Sequence, residues 1–183
     1  LVGLSNGAFF AERLARHALL DLLAIALVSG TAREASHRLA PTPLRPCAVL
    51  MIAGTADPNV PYAGGRARGL TGWMARRRIS SVLSSADGRD AVAAEALGAE
   101  WAGVNGANGR PVIDIASAEA ADLRVELLSW PAGASPVDLY RVIGGGHGWP
   151  GRPQYAPRFL IGPVSRAFDT TGAVLDFVRA LTS

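Results

Sequence analysis

Short apolar runs alternate with amphipathic stretches along this chain, which predicts strands interleaved with helices in a mostly parallel α/β sheet. Leu22 to Val28 is wholly apolar and stops at Ser29-Gly30, as a strand buried on both faces does. Ala48 to Ile52 repeats the pattern and closes on Ala53-Gly54-Thr55. Leu123 to Trp130 and Val137 to Ile143 read as two further strands, joined by a turn at Pro131 to Pro136. Three helical segments accompany them. Residues 7–17 carry Phe10, Leu14 and His17 at helical spacing. Asp87 to Trp101 puts Ala94, Leu97 and Trp101 on one face and ends at Asn105-Gly106. Asp169 is placed to cap a last helix whose Val174, Phe177, Val178 and Leu181 form an apolar stripe.

The remaining stretches read as connections. Residues 31–46 hold three prolines, and residues 66–86 lack a period and contain Arg76-Arg77-Arg78, as a surface excursion does. With 183 residues, 49% apolar and 18% charged, the chain suits one globular domain with a sizeable core. The longest apolar candidate for a membrane span, Ala18 to Val28, is interrupted by Asp21 and is too short, so no membrane partner is expected. The net charge of +3 comes mostly from arginine and does not argue for nucleic acid. A single cysteine, Cys47, permits no internal disulfide. The chain opens on Leu1-Val2-Gly3, without Met, in what reads as the end of a strand. The expectation is therefore a C-terminal part of a single domain, residues 1–183, with the N-terminal strands and any targeting segment out of view.

Three segments carry chemistry, each directly after a predicted strand. Gly3-Leu4-Ser5-Asn6-Gly7 fits G-x-S-x-G, in which a serine rides a tight strand-to-helix turn and flanking glycines relieve crowding. Gly54-Thr55-Ala56-Asp57 puts an acid in the loop at a strand's C-terminal end. Gly144 to Gly151 (GGGHGWPG) holds His147 in a glycine-rich loop. Taken singly, each has a plain reading as a turn. Of the other two histidines, His17 ends a helix and His37 sits in a proline-containing loop, and both suit surface or packing positions. Gly146, Gly148 and Gly151 formally fit a dinucleotide-binding fingerprint, but Pro150 and Pro153 stand where its helix should open. The order Ser5, Asp57, His147 is that of an α/β-hydrolase triad of nucleophile, acid and base, with the Asn6 backbone N–H as an oxyanion-hole donor.

Gly3 to Gly7, GTADPNVPYAGG from Gly54 to Gly65, and GGGHGWPG together resemble the secreted poly(3-hydroxybutyrate) depolymerase-like family, which also contains feruloyl and acetylxylan esterases. Trp101-Ala102, Asn105-Gly106 and the Ser165 to Phe177 segment extend the likeness to the last helix. The resemblance implies an α/β-hydrolase fold, the triad Ser5, Asp57 and His147, a carboxylic-ester substrate that is polymeric in some members, and an extracellular location. Departures are Ala8 after Gly7, Gly148 where a threonine is usual, and no cysteines following Asn105-Gly106. The family also has strands upstream of the elbow, with the loop that gives a second oxyanion donor.

No metal and no organic cofactor is implied. Trp149 and Tyr62 are candidate substrate-binding residues, with packing as the other reading for each, and Trp73 is in the same position. The Arg66, Arg68 and Arg76 to Arg78 cluster reads as a solvated face rather than a site for an anionic polymer. Two other functions stay open: a serine peptidase on the same fold, and a catalytically inactive truncated hydrolase. Oligomeric state cannot be read from the sequence.

Overall fold

The computed structural model describes residues 1–34, 44–67, 90–118, 122–130, 133 and 135–183. His37, Trp73, Arg68 and Arg76 to Arg78 lie outside the described residues, as does Asp87, the expected start of the middle helix. Six strands form one sheet: β1 (Val2–Leu4), β2 (Ala24–Val28), β3 (Ala48–Gly54), β4 (Val112–Ser117), β5 (Val125–Trp130) and β6 (Val137–Val142). Their order is β1-β2-β3-β6-β5-β4. The first three pair in parallel and β6 joins β3 in parallel, whereas β5 runs antiparallel to both β6 and β4. Among the described residues four helices accompany the sheet: α1 (Asn6–Arg16), α2 (Ala94–Val104), α3 (Arg158–Ile161) and α4 (Thr170–Ala180). The architecture is thus a mixed, mostly parallel α/β sheet with flanking helices.

The pleat sorts the core into two layers. Ile25, Leu27, Val49 and Met51 point to the side of α1 and α2, with Leu97 and Trp101 packed on them. Ala26, Val28, Leu50 and Ile52 point to the opposite side, where Phe168 and Val174 cover them. β2 and β3 are buried at every position, which is why their sequences are unbroken apolar runs.

The first helix differs from its expected face. Phe10 is 61% exposed, and the buried residues of α1 are Ala8, Phe9, Ala11, Glu12, Ala15 and Arg16. Arg16 decides this face. Its guanidinium meets Glu12 at 2.6 Å and Glu100 of α2 at 2.8 Å, and lies over the Trp101 ring. A paired charge is packed inside while a phenyl ring faces out, the reverse of what an apolar-stripe count expects. The middle helix starts at Ala94, because Ala91 is bridged to Arg33 and Gly65. β4 corresponds to no expected strand. It is an edge strand exposed along nearly its whole length, so burial imposes no alternation on it. In α4, Asp169 caps as expected by accepting from Thr171 N–H at 3.0 Å, and Val174 and Phe177 face the sheet. Val178 is instead 37% exposed.

Candidate active site

Because β1, β2, β3 and β6 are parallel, their C-terminal ends open on one edge of the sheet, where α/β folds place their ligands. Ser5 follows β1 at φ 54°, ψ −115°, a strained conformation for a residue with a Cβ. The turn is held where Ser5 N–H donates to Val28 and the Ser5 carbonyl accepts from Ala8 and Phe9. Gly3 makes it possible: a Cβ there would lie 2.2 Å from the Gly7 carbonyl. Gly7 itself has open space around a Cβ, so only the first glycine of the motif answers to crowding.

Asp57 sits in the loop after β3 and is almost fully buried. Its Oδ1 accepts from the backbone N–H groups of Asn59 and Val60, at 2.7 and 2.8 Å. That leaves Oδ2 facing His147 Nδ1 at 2.8 Å. The other ring nitrogen, Nε2, lies 2.9 Å from Ser5 Oγ. With a carboxylate at Nδ1, the proton belongs on that nitrogen, and Nε2 is the acceptor for the serine hydroxyl. The three sequence-selected residues therefore meet in one hydrogen-bonded chain across three separate loops. Such a chain can draw the hydroxyl proton onto the imidazole as Oγ attacks an electrophile. The Asn6 N–H opens α1, has no acceptor within the helix, and sits at the positive end of the helix dipole.

The loops are tied to one another. Thr55 N–H donates to Val142 and Ala56 N–H to Gly145, while Gly144 N–H donates to the Thr55 hydroxyl at 2.8 Å. His147 N–H donates to Ile161 of α3, and Asn59 Nδ2 donates to Leu160, so α3 braces both the acid and the base loop. Asp122 anchors the next segment by accepting from the Ser165 hydroxyl at 2.6 Å and from the N–H groups of Arg166 and Ala167. Burial acts to raise the Asp122 carboxyl, but hydrogen bonds from Ser165, Ala167, Leu123 and Arg166 outweigh it and hold the group below its ordinary value. The Tyr155 phenol is pushed up, by partial burial first and by the Asp57 charge second.

The two substrate-binding candidates each hold a hydrogen-bond partner within the fold. Tyr62 packs against the α1/α2 side of the core and its hydroxyl bonds Glu95 at 2.7 Å. Trp149 packs on the α4 side and donates its indole N–H to Thr171 Oγ1 at 3.1 Å. Both indole and phenol thus have structural partners. His17 caps the end of α1, and Arg66 is ion-paired with Asp90. Residues that sequence reasoning passed over are Thr55, Asp122, Ser165 and Ser29, whose only signal was their place beside a strand end or a turn. Among the described residues, no cluster of histidine, cysteine, aspartate or glutamate is arranged to hold a metal ion, and no helix is long and apolar enough to cross a membrane. No family model, curated protein or solved structure matches the chain.

Proposed function

We propose that this chain carries the chemistry of a serine esterase of the α/β-hydrolase type. The observation behind the reading is the Asp57–His147–Ser5 relay, with links of 2.8 and 2.9 Å at the C-terminal ends of parallel strands. In the proposed cycle His147 Nε2 takes the Ser5 proton as Oγ attacks the ester carbonyl. Asp57 stabilises the resulting imidazolium, and Asn6 N–H receives the oxyanion. His147 then returns the proton to the departing alcohol, leaving an acyl-Ser5 ester. Water, deprotonated by the same imidazole, releases the acid and restores the serine. The motif resemblance supports polyhydroxyalkanoates or feruloylated and acetylated polysaccharides as the ester class.

Two measurements test this reading: labelling by a fluorophosphonate probe, and hydrolysis of a short p-nitrophenyl ester beside a matched p-nitroanilide. The protein should be labelled at Ser5 and prefer the ester, and Ser5→Ala should lose both labelling and about 10⁴-fold or more in kcat. Parent-level hydrolysis by Ser5→Ala would assign the nucleophile elsewhere, and a preference for the anilide would make the protein a peptidase.

A further inference from the structure

Ser29 follows β2, one strand over from Ser5, and is 4% exposed. Its backbone takes φ 46°, a left-handed conformation that an L-residue adopts at a cost. Its N–H donates to Ile52, which fixes the turn. Its hydroxyl reaches across the sheet edge to the residue after His147, donating to the Gly148 carbonyl at 2.8 Å and accepting from the Gly148 N–H at 3.0 Å. One side chain thus satisfies both backbone polar groups of Gly148, and a hydroxyl is among the few groups able to do so.

We infer that Ser29 is a positioning residue for His147. Upstream, the histidine is held by its own N–H on Ile161 and by Gly146 N–H on Pro163. Downstream, the bond that fixes its peptide against the neighbouring strand end is the reciprocal pair with Ser29. A small cavity of about 10 Å³ lies beside the loop, bordered by Ser29, Gly146, Gly148 and Ser165. A shift of the Gly148 peptide would carry the imidazole away from its 2.9 Å approach to Ser5. Ser29 touches no reacting atom; it acts through the base. The inference rests on the esterase reading for its kinetic consequence, and on the geometry alone for the position of the ring.

Ser29→Gly separates a positioning role from a structural one. Glycine accepts the left-handed backbone and relieves its strain, while the hydroxyl is lost. In the full chain, Ser29→Gly should lower kcat for a p-nitrophenyl ester about 10- to 100-fold with KM nearly unchanged, the cost of misplacing a catalytic group. The downfield proton resonance of the His147 Nδ1–H bonded to Asp57 should shift or broaden, while the melting temperature falls by roughly 2 to 10 °C, the cost of unpaired Gly148 backbone groups, which leaves the protein folded during the assay. An unaltered resonance with parent-level kcat would overturn the inference. So would a large loss of melting temperature that accounts for the lost activity. Ser5→Ala run alongside keeps the two ideas apart: if it stays active the esterase reading falls, yet the His147 resonance still reports whether Ser29 positions the ring.

Discussion

Gly54 and Gly145 bring the acid-bearing and base-bearing loops into backbone contact: a Cβ on Gly54 would lie 2.3 Å from the Gly145 carbonyl oxygen and 2.5 Å from its carbon. β3 and β6 are hydrogen-bonded neighbours, so their loops leave the sheet side by side and must cross closely for Asp57 to reach His147. Neither partner in that contact is a flexible side chain. Any added atom has to displace the loop itself.

Gly54→Ala should therefore destabilise the protein by about 1 to 3 kcal/mol, the usual cost of overpacking, and reduce ester hydrolysis more than that loss explains. Gly7→Ala is the internal comparison, since its Cβ meets nothing within 4 Å and alanine favours a helix start over glycine. Urea unfolding of both variants checks the pair. Equal stabilities would mean that the loop contact is slack.

Asp57→Asn tests tautomer control rather than charge alone. Two backbone N–H groups converge on Oδ1, so an asparagine will turn its amide oxygen to Asn59 and Val60 and its NH₂ to His147. A donor at that position forces His147 Nδ1 to accept, which puts the ring proton on Nε2, where it opposes deprotonation of Ser5. The expected loss in kcat is about 10³- to 10⁴-fold, smaller than for Ser5→Ala. A variant that keeps more than a tenth of parent kcat would remove Asp57 from the relay.

How far the sequence reached depended on burial. β2 and β3, buried throughout, had to be apolar and were legible as such. Ser5, Asp57 and His147 were legible because a G-x-S-x-G turn and glycine-rich strand-end loops leave local signatures. The α1 face was misjudged because Glu12 and Arg16 are buried as a pair, and a pairing with Glu100 of α2 leaves no mark at helical spacing. β4 escaped notice since exposure on both faces removes the constraint that would pattern it. Ser29, Asp122 and Ser165 act through hydrogen bonds to partners 119 and 43 residues away, and a lone serine or aspartate beside a turn announces no such partner.

Acid should loosen the segment behind the histidine loop once Asp122 is protonated. Asp122 is held below its ordinary value, so it contributes stability above the unfolded carboxylate value, about 4, and loses it as pH falls through the lower folded value. Asp122→Ala leaves the fully buried Ser165 hydroxyl without its acceptor and should cost about 1 to 3 kcal/mol at neutral pH. Melting curves of parent and variant from neutral pH to acid should converge as Asp122 becomes protonated in the parent. A gap that stays constant into strong acid would show that the carboxylate charge is irrelevant there.

Self-association should run through β4 rather than through the opposite edge. Among the described residues the sheet ends at β1 on one side and β4 on the other, and a strand without a neighbour is a template for another chain. β1 spans three residues and feeds at once into the Ser5 turn, which bends the backbone away from further pairing. β4 spans six residues and presents Ile113 and Ile115 on one face, 53% and 60% exposed, with Val112 beside them. Asp114 is the only charge in the strand, too little to deter pairing. Ile115→Lys adds the inward-repelling charge that natural edge strands use, and at an exposed site it should change stability by no more than about 0.5 kcal/mol. Light scattering against concentration should then show aggregation beginning at a higher concentration for Ile115→Lys than for the parent, with Val2→Lys giving little change. The reverse ranking would make β1 the sticky edge, and its three exposed apolar residues Leu1, Val2 and Leu4 the surface responsible.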